Sequence, residues 1–150
     1  MAYKPNSGPG THDASLEFCT AQSVPTDGAQ DISENIIDLI DTAPDLRGTP
    51  LILCVEVTTK ITTASGTSSQ MYINLLTDAA ASTISGGWVT LSVGLIMFTY
   101  TEAKGQVFKV GIPQYGADAY ERYLSLVLAP VSSDTLYSAG AIDAWLEPAI

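Results

Sequence analysis

A chain of 150 residues, 46% hydrophobic and 15% charged, is long enough for one domain with a core of its own and needs no metal or disulfide staple to hold it. Sixteen acidic residues against six basic ones give a formal charge of −10, which excludes a phosphate-neutralising surface and with it nucleic acid as a partner. No apolar run approaches the ~20 residues of a membrane helix, and a charge content under the usual ~25% suits a surface partly covered by another subunit.

Residues 1–13, MAYKPNSGPGTHD, hold two prolines, two glycines and a serine. They lack the apolar stretch of a signal peptide and are expected to form a flexible arm, with the ordered domain running from 14 to 150. From Pro5 to Leu46 there is no Lys or Arg, while Asp13, Glu17, Asp27, Asp31, Glu34, Asp38, Asp41 and Asp45 all fall there. The spacing of a D-x-D-x-D-G calcium loop is absent, so this is read as a solvated acidic surface.

Residues 14–23 are expected to open the ordered body, with Phe18 as an anchor, and 35–40 to form either a short strand or a turn and a half of helix. Proline and glycine make 41–50 a loop. The clearest central strand is 51–61, where Leu51, Leu53, Val55, Val57, Thr59 and Ile61 alternate with Ile52, Cys54, Glu56, Thr58 and Lys60. Apolar side chains on both of its faces predict a second layer or a neighbouring subunit. TTASGTSS reads as a hairpin-type connector into a strand at 71–76. Strand-like runs follow at 89–93 and 95–100, interrupted at Gly94 in the manner of a bulge, and at 106–112. The chain ends on a pair of strands joined by a polar loop. In the first, Leu124, Leu126 and Leu128 share a face; in the second, Ile142, Ala144 and Leu146 do, and this last strand is expected to close a sheet. Seven or eight short strands without a long helix predict an all-β jelly-roll β-sandwich of antiparallel strands, with an immunoglobulin-type sandwich as the alternative.

Groups that carry chemistry are scarce. His12, the sole histidine, lies in the arm beside Asp13, and one histidine with two cysteines cannot furnish a zinc site. Nothing singles out one pair among the sixteen acids for glycoside hydrolysis, and no phosphate-binding glycine motif occurs. Cys19 and Cys54 are either free and buried or one disulfide. The expectation is a non-enzymatic protein without a cofactor or metal, made in a cytoplasm. Its strand aromatics serve a core or an interface more readily than a sugar groove.

Several segments carry a resemblance: AQS at 21–23, ENIIDLIDTAPDLRGTPLILCVEVTT at 34–59, QMYINLLTD at 70–78, KVGIPQYGADAYERYLSLVLAP at 109–130 and AGAIDAWLEP at 139–148. They resemble the capsid cement (decoration) proteins of short-tailed bacteriophages, of the Bordetella-phage cement type. In that family a D-L-G-x-G-x-P-L loop enters a strand, and an R-Y-L-x-L strand precedes a final G-A-x-x-A-x-L strand. Here Asp45-Leu46-Arg47-Gly48-Thr49-Pro50-Leu51 corresponds to the loop, with Arg47 where glycine is usual. Arg122 to Leu126 and Gly140 to Leu146 correspond to the closing strands.

The resemblance implies a jelly roll on the outer surface of an icosahedral virion. Its partners would be the major capsid protein and further copies of itself, as a homodimer or homotrimer. The alternative is a carbohydrate-binding jelly-roll module of a phage tail fibre or receptor-binding protein. Candidate protein contacts are Tyr3, Lys4 and Pro5 in the arm, which an extended chain would carry roughly 40 Å, and the aromatics Trp88, Tyr115 and Trp145.

Overall fold

A computed structural model describes residues 16–39, 50–63, 69–78, 89–112, 122–131 and 136–148. Among these the fold is all-β: β1 Glu17–Ser23, β2 Asp31–Ile32, β3 Ile37–Asp38, β4 Leu51–Thr63, β5 Met71–Asp78, β6 Val89–Phe98, β7 Val107–Gly111, β8 Tyr123–Pro130 and β9 Tyr137–Pro148. The first sheet has the order β1-β9-β4-β7. The second has β2-β8-β5-β6, with β3 also paired to β8, and every pairing in both sheets is antiparallel.

The pairing is nested. The two central strands β5 and β6 pair; outside them β4 pairs β7, β2 and β3 pair β8, and β1 pairs β9. The alternation read from the sequence decides which side of each strand faces in. Leu51, Leu53, Val55, Val57 and Ile61 of β4 enter one core with Ile142, Ala144 and Leu146 of β9, while Thr59 is exposed at the rim. From the second sheet Leu124, Leu126 and Leu128 of β8 meet Met71, Ile73 and Leu75 of β5 in the same cluster. Each such side chain contributes about 1.5–3 kcal/mol when fully withdrawn from water, which holds the two layers together.

Of the two forms open to segment 35–40, the short strand is the one formed, as the two-residue β3, with no helical turn among its described residues. Two other expectations resolve differently from the sequence reading. The segment between β4 and β5 is not a hairpin connector, because those strands lie in different sheets. The closing pair β8 and β9 is divided in the same way, and β9 runs between β1 and β4 in the interior of its sheet. In both, one apolar face per strand is satisfied by facing a common core across two layers, which an in-sheet hairpin does not demand.

β2 and β3 act as one interrupted edge strand. At the break the Ser33 backbone N–H donates to Leu126 O (2.8 Å), and Ser33 Oγ accepts the Leu126 N–H (3.1 Å) and donates to Asn35 O (3.0 Å). A hydroxyl thus replaces a missing ladder carbonyl, with Ser125 Oγ 3.0 Å away. Along the flank, Gln22 Nε2 donates to Ile32 O (2.8 Å), Gln22 Oε1 accepts the Glu34 N–H (3.0 Å), and the Asn35 N–H donates to Phe18 O (2.8 Å), lacing the two sheets. The interruption expected at Gly94 is present: the β5–β6 register slips between Ile73 and Leu75, and the Gly94 N–H turns to Asn74 Oδ1 (2.7 Å).

Candidate interaction surfaces

Register places a band of charge on the outer face of the first sheet. Trp145 on β9 stands between Glu17 of β1 and Cys54 of β4; Cys54 neighbours Lys109 of β7; Glu147 stands beside Ile52, and Asp143 beside Glu56. Carboxylates therefore outnumber cations on this face among the described residues. Lys109 Nζ approaches Glu147 Oε2 at 3.5 Å, and Trp145 Nε1 donates to Glu147 Oε1 at 3.2 Å. Asp143 Oδ1 accepts the Ala21 N–H at 2.6 Å, where β1 bulges and Ala21 takes a φ of 49°.

The outer face of the second sheet is built differently. One row runs Met97–Tyr72–Ala129, the next Asn74–Val127–Ile32, and a third Thr90–Leu76–Ser125, with no charged side chain in any of them. Among the described residues charge returns on this face at the end of the sheet, where Asp38 and Asp78 both neighbour Tyr123. There Arg122 grips Asp38 through two bonds, Nε–Oδ1 at 2.9 Å and Nη2–Oδ2 at 2.8 Å, and lies 4.9 Å over the Tyr123 ring. The pair is partly open to water, so its value is mainly geometric: it fixes the start of β8 against β3.

Of the contact residues read from the sequence, Trp145 is described, 7% exposed and facing outward over Cys54. Tyr3, Lys4, Pro5, Trp88 and Tyr115 lie outside the described residues, as do His12 and the boundary at 13/14. The structure adds exposed apolar side chains that the sequence reading did not single out: Val93 and Met97 on β6, Val107 on β7, Val131 after β8 and Leu136 before β9; Tyr100, read only among the strand aromatics, is exposed as well. The signal for Val93 and Met97 was the absence of any charge from 89 to 98.

The two cysteines are free and buried. Burial, with the Glu34 and Asp143 carboxylates adding to it, pushes the Cys19 thiol from 9.0 up to about 12; burial and then Glu147 push Cys54 up to about 12. Tyr137, whose hydroxyl donates to Thr99 O at 2.7 Å, is raised from 10.0 to about 12 by burial and by Glu102. These thiols are held protonated and are poor nucleophiles. Neither should react with an aromatic disulfide reagent at pH 8 until denaturant is added, when both should react. All three groups ionise more readily in the unfolded chain. Their stabilising effect is therefore complete below pH about 9 and is lost as pH rises toward about 12. The urea midpoint should accordingly fall between pH 8 and pH 10.5.

Among the described residues no group of three or more His, Cys, Asp or Glu is arranged to hold a metal ion, and no helix is long and apolar enough to cross a membrane. Comparison with protein-family models and with curated proteins returns no match to this chain.

Proposed function

We propose that this chain is a capsid cement protein, a jelly roll that binds the outer surface of an icosahedral phage shell, ties neighbouring major capsid protein subunits together and stabilises the mature head. The observation that carries the reading is the nested strand pairing, β5 with β6, β4 with β7, β2 and β3 with β8, β1 with β9. Two antiparallel layers, one of four strands and one of five, paired in this nested way are what a jelly roll would present, and this supports the reading. The segments on which the family resemblance rests supply β4, β5, β8 and β9, the interior strands of both sheets.

The asymmetry of the two outer faces supports a binding role. An acidic face suits exposure on the outside of a particle, and an uncharged face suits contact with protein. Stabilisation then needs no chemistry. A ligand that binds only the assembled lattice shifts the equilibrium toward it by mass action, and many symmetric copies reinforce one another.

The test uses particles of the source virus assembled without this chain, mixed with the purified protein. Saturable co-sedimentation and a rise of several degrees in the temperature at which DNA is released are expected. Absence of binding together with an unchanged release temperature would overturn the proposal.

A further inference from the structure

β6 is a sheet edge without the usual protection. Its ten residues, VTLSVGLIMF, include no Asp, Glu, Lys, Arg or Pro. The other strands with an open side each carry a charge, Glu17 in β1, Asp31 in β2, Asp38 in β3 and Lys109 in β7. Exposed edges are normally blocked by charge or proline because a row of open N–H and C=O groups will pair with any strand that reaches it. Among the described residues β6 is hydrogen-bonded to β5 on one side and to no strand on the other. Apolar surface collects along the same border: Val93 is 68% exposed and Met97 44%, with Tyr100 and Val107 close behind in sequence.

We propose that this edge is where two copies of the chain join, with β6 pairing antiparallel to β6 of a second copy across a two-fold axis near the middle of the strand. The occupant follows from charge. A chain of net charge −10 repels its own copies, and the border they can share without bringing carboxylates together is the one that has none. The outer face of the first sheet would oppose Glu17, Glu56, Asp143 and Glu147 to themselves.

Symmetry makes the pairing self-limiting. An antiparallel strand paired with itself is an isologous contact that uses up both edges and closes at two. The irregularity at Gly94, whose N–H is spent inward on Asn74, divides the edge into two short runs. Short runs favour a specific dimer over an extended β-ribbon of many chains. This inference deepens the self-association included in the cement-protein reading by giving the surface used.

Sedimentation equilibrium on the purified protein at tens of micromolar, without shells, tests it independently of that reading. The wild-type chain should sediment at twice its 15.8 kDa mass. Val93→Lys combined with Met97→Lys, which puts like charges across the two-fold, should raise the dissociation constant by more than about tenfold. Val131→Lys, an exposed site in the segment after β8, should leave the dimer intact. Hydrogen exchange supplies a measurement without mutation: β6 amides should gain protection with rising concentration while those of β1 and β7 do not. A monomeric or trimeric wild type, a double-lysine variant that dimerises like the wild type, or β6 protection that ignores concentration would each overturn the proposal. Dimers that fail to bind shells would instead count against the cement role alone.

Discussion

Gly140→Ala is expected to lower the stability of the protein by about 3 kcal/mol, a fall of roughly 6–12 °C in the unfolding midpoint of a chain this size. Gly140 lies in β9 with a φ of +145°, a backbone conformation that side-chain-bearing residues rarely adopt. Its carbonyl accepts the Val24 N–H at 3.1 Å, which holds the chain leaving β1 against β9. A Cβ added there would stand 2.7 Å from Ile61 Cγ1, 3.1 Å from Ile61 Cα and 3.2 Å from Val24 Cγ2. Rotating the Ile61 side chain relieves only the first of these, because the Cα belongs to the backbone of β4 and Ile61 is fully buried. Conformational strain of about 1–2 kcal/mol adds to an overpacking cost of about 1–3 kcal/mol. Gly105→Ala separates the two terms. Its φ is +89°, but nothing lies within 4 Å of the added Cβ, so only the strain should be lost. Equal midpoints for the two variants would show that the approach of Ile61 costs nothing.

Gly140 also illustrates what a sequence carries and what it leaves out. A glycine at the head of an apolar strand is visible as a motif position, but the atoms that require it come from Ile61 and Val24, both distant in the chain. The same division runs through the fold. Alternation in 51–61, 124–128 and 142–146 told which side chains face the core, because a period of two is a local property of the strand. It did not tell which strand lies beside which. β4 and β5 looked like a hairpin and occupy different sheets, and β8 and β9 looked like a closing pair and do the same. β2 and β3 are too short to show a period at all, and they depend on the Ser33 hydroxyl bonded to β8. For the surface, residue type alone pointed to Trp145, which stands on an outer face yet is nearly buried between Glu17 and Cys54. The apolar border along β6 was written in the sequence as a run without charge, and only the sheet order gives that run its meaning as an edge.

Phe98→Ala should have the largest effect of any single substitution argued for this chain, about 4 kcal/mol of lost stability. Phe98 ends β6 in the second sheet, is wholly buried, and meets Phe108 of β7 in the first sheet with ring centroids 5.1 Å apart and planes inclined at 52°. The contact joins the two layers on the side opposite the Gln22–Ile32 lacing. Truncation of a buried phenylalanine costs about 3–5 kcal/mol through lost transfer energy and the cavity left behind, and the tilted ring pair adds about 0.5–1.5 kcal/mol that Phe98→Leu would also lose. Phe108 is only half-buried, so Phe108→Ala should cost less. The double variant should be less destabilised than the sum of the two, since each single change already removes the shared contact. Urea unfolding of the four proteins, at a concentration where every one is monomeric, measures the cycle. Strict additivity would mean that the ring pair does not couple the two sheets on this side.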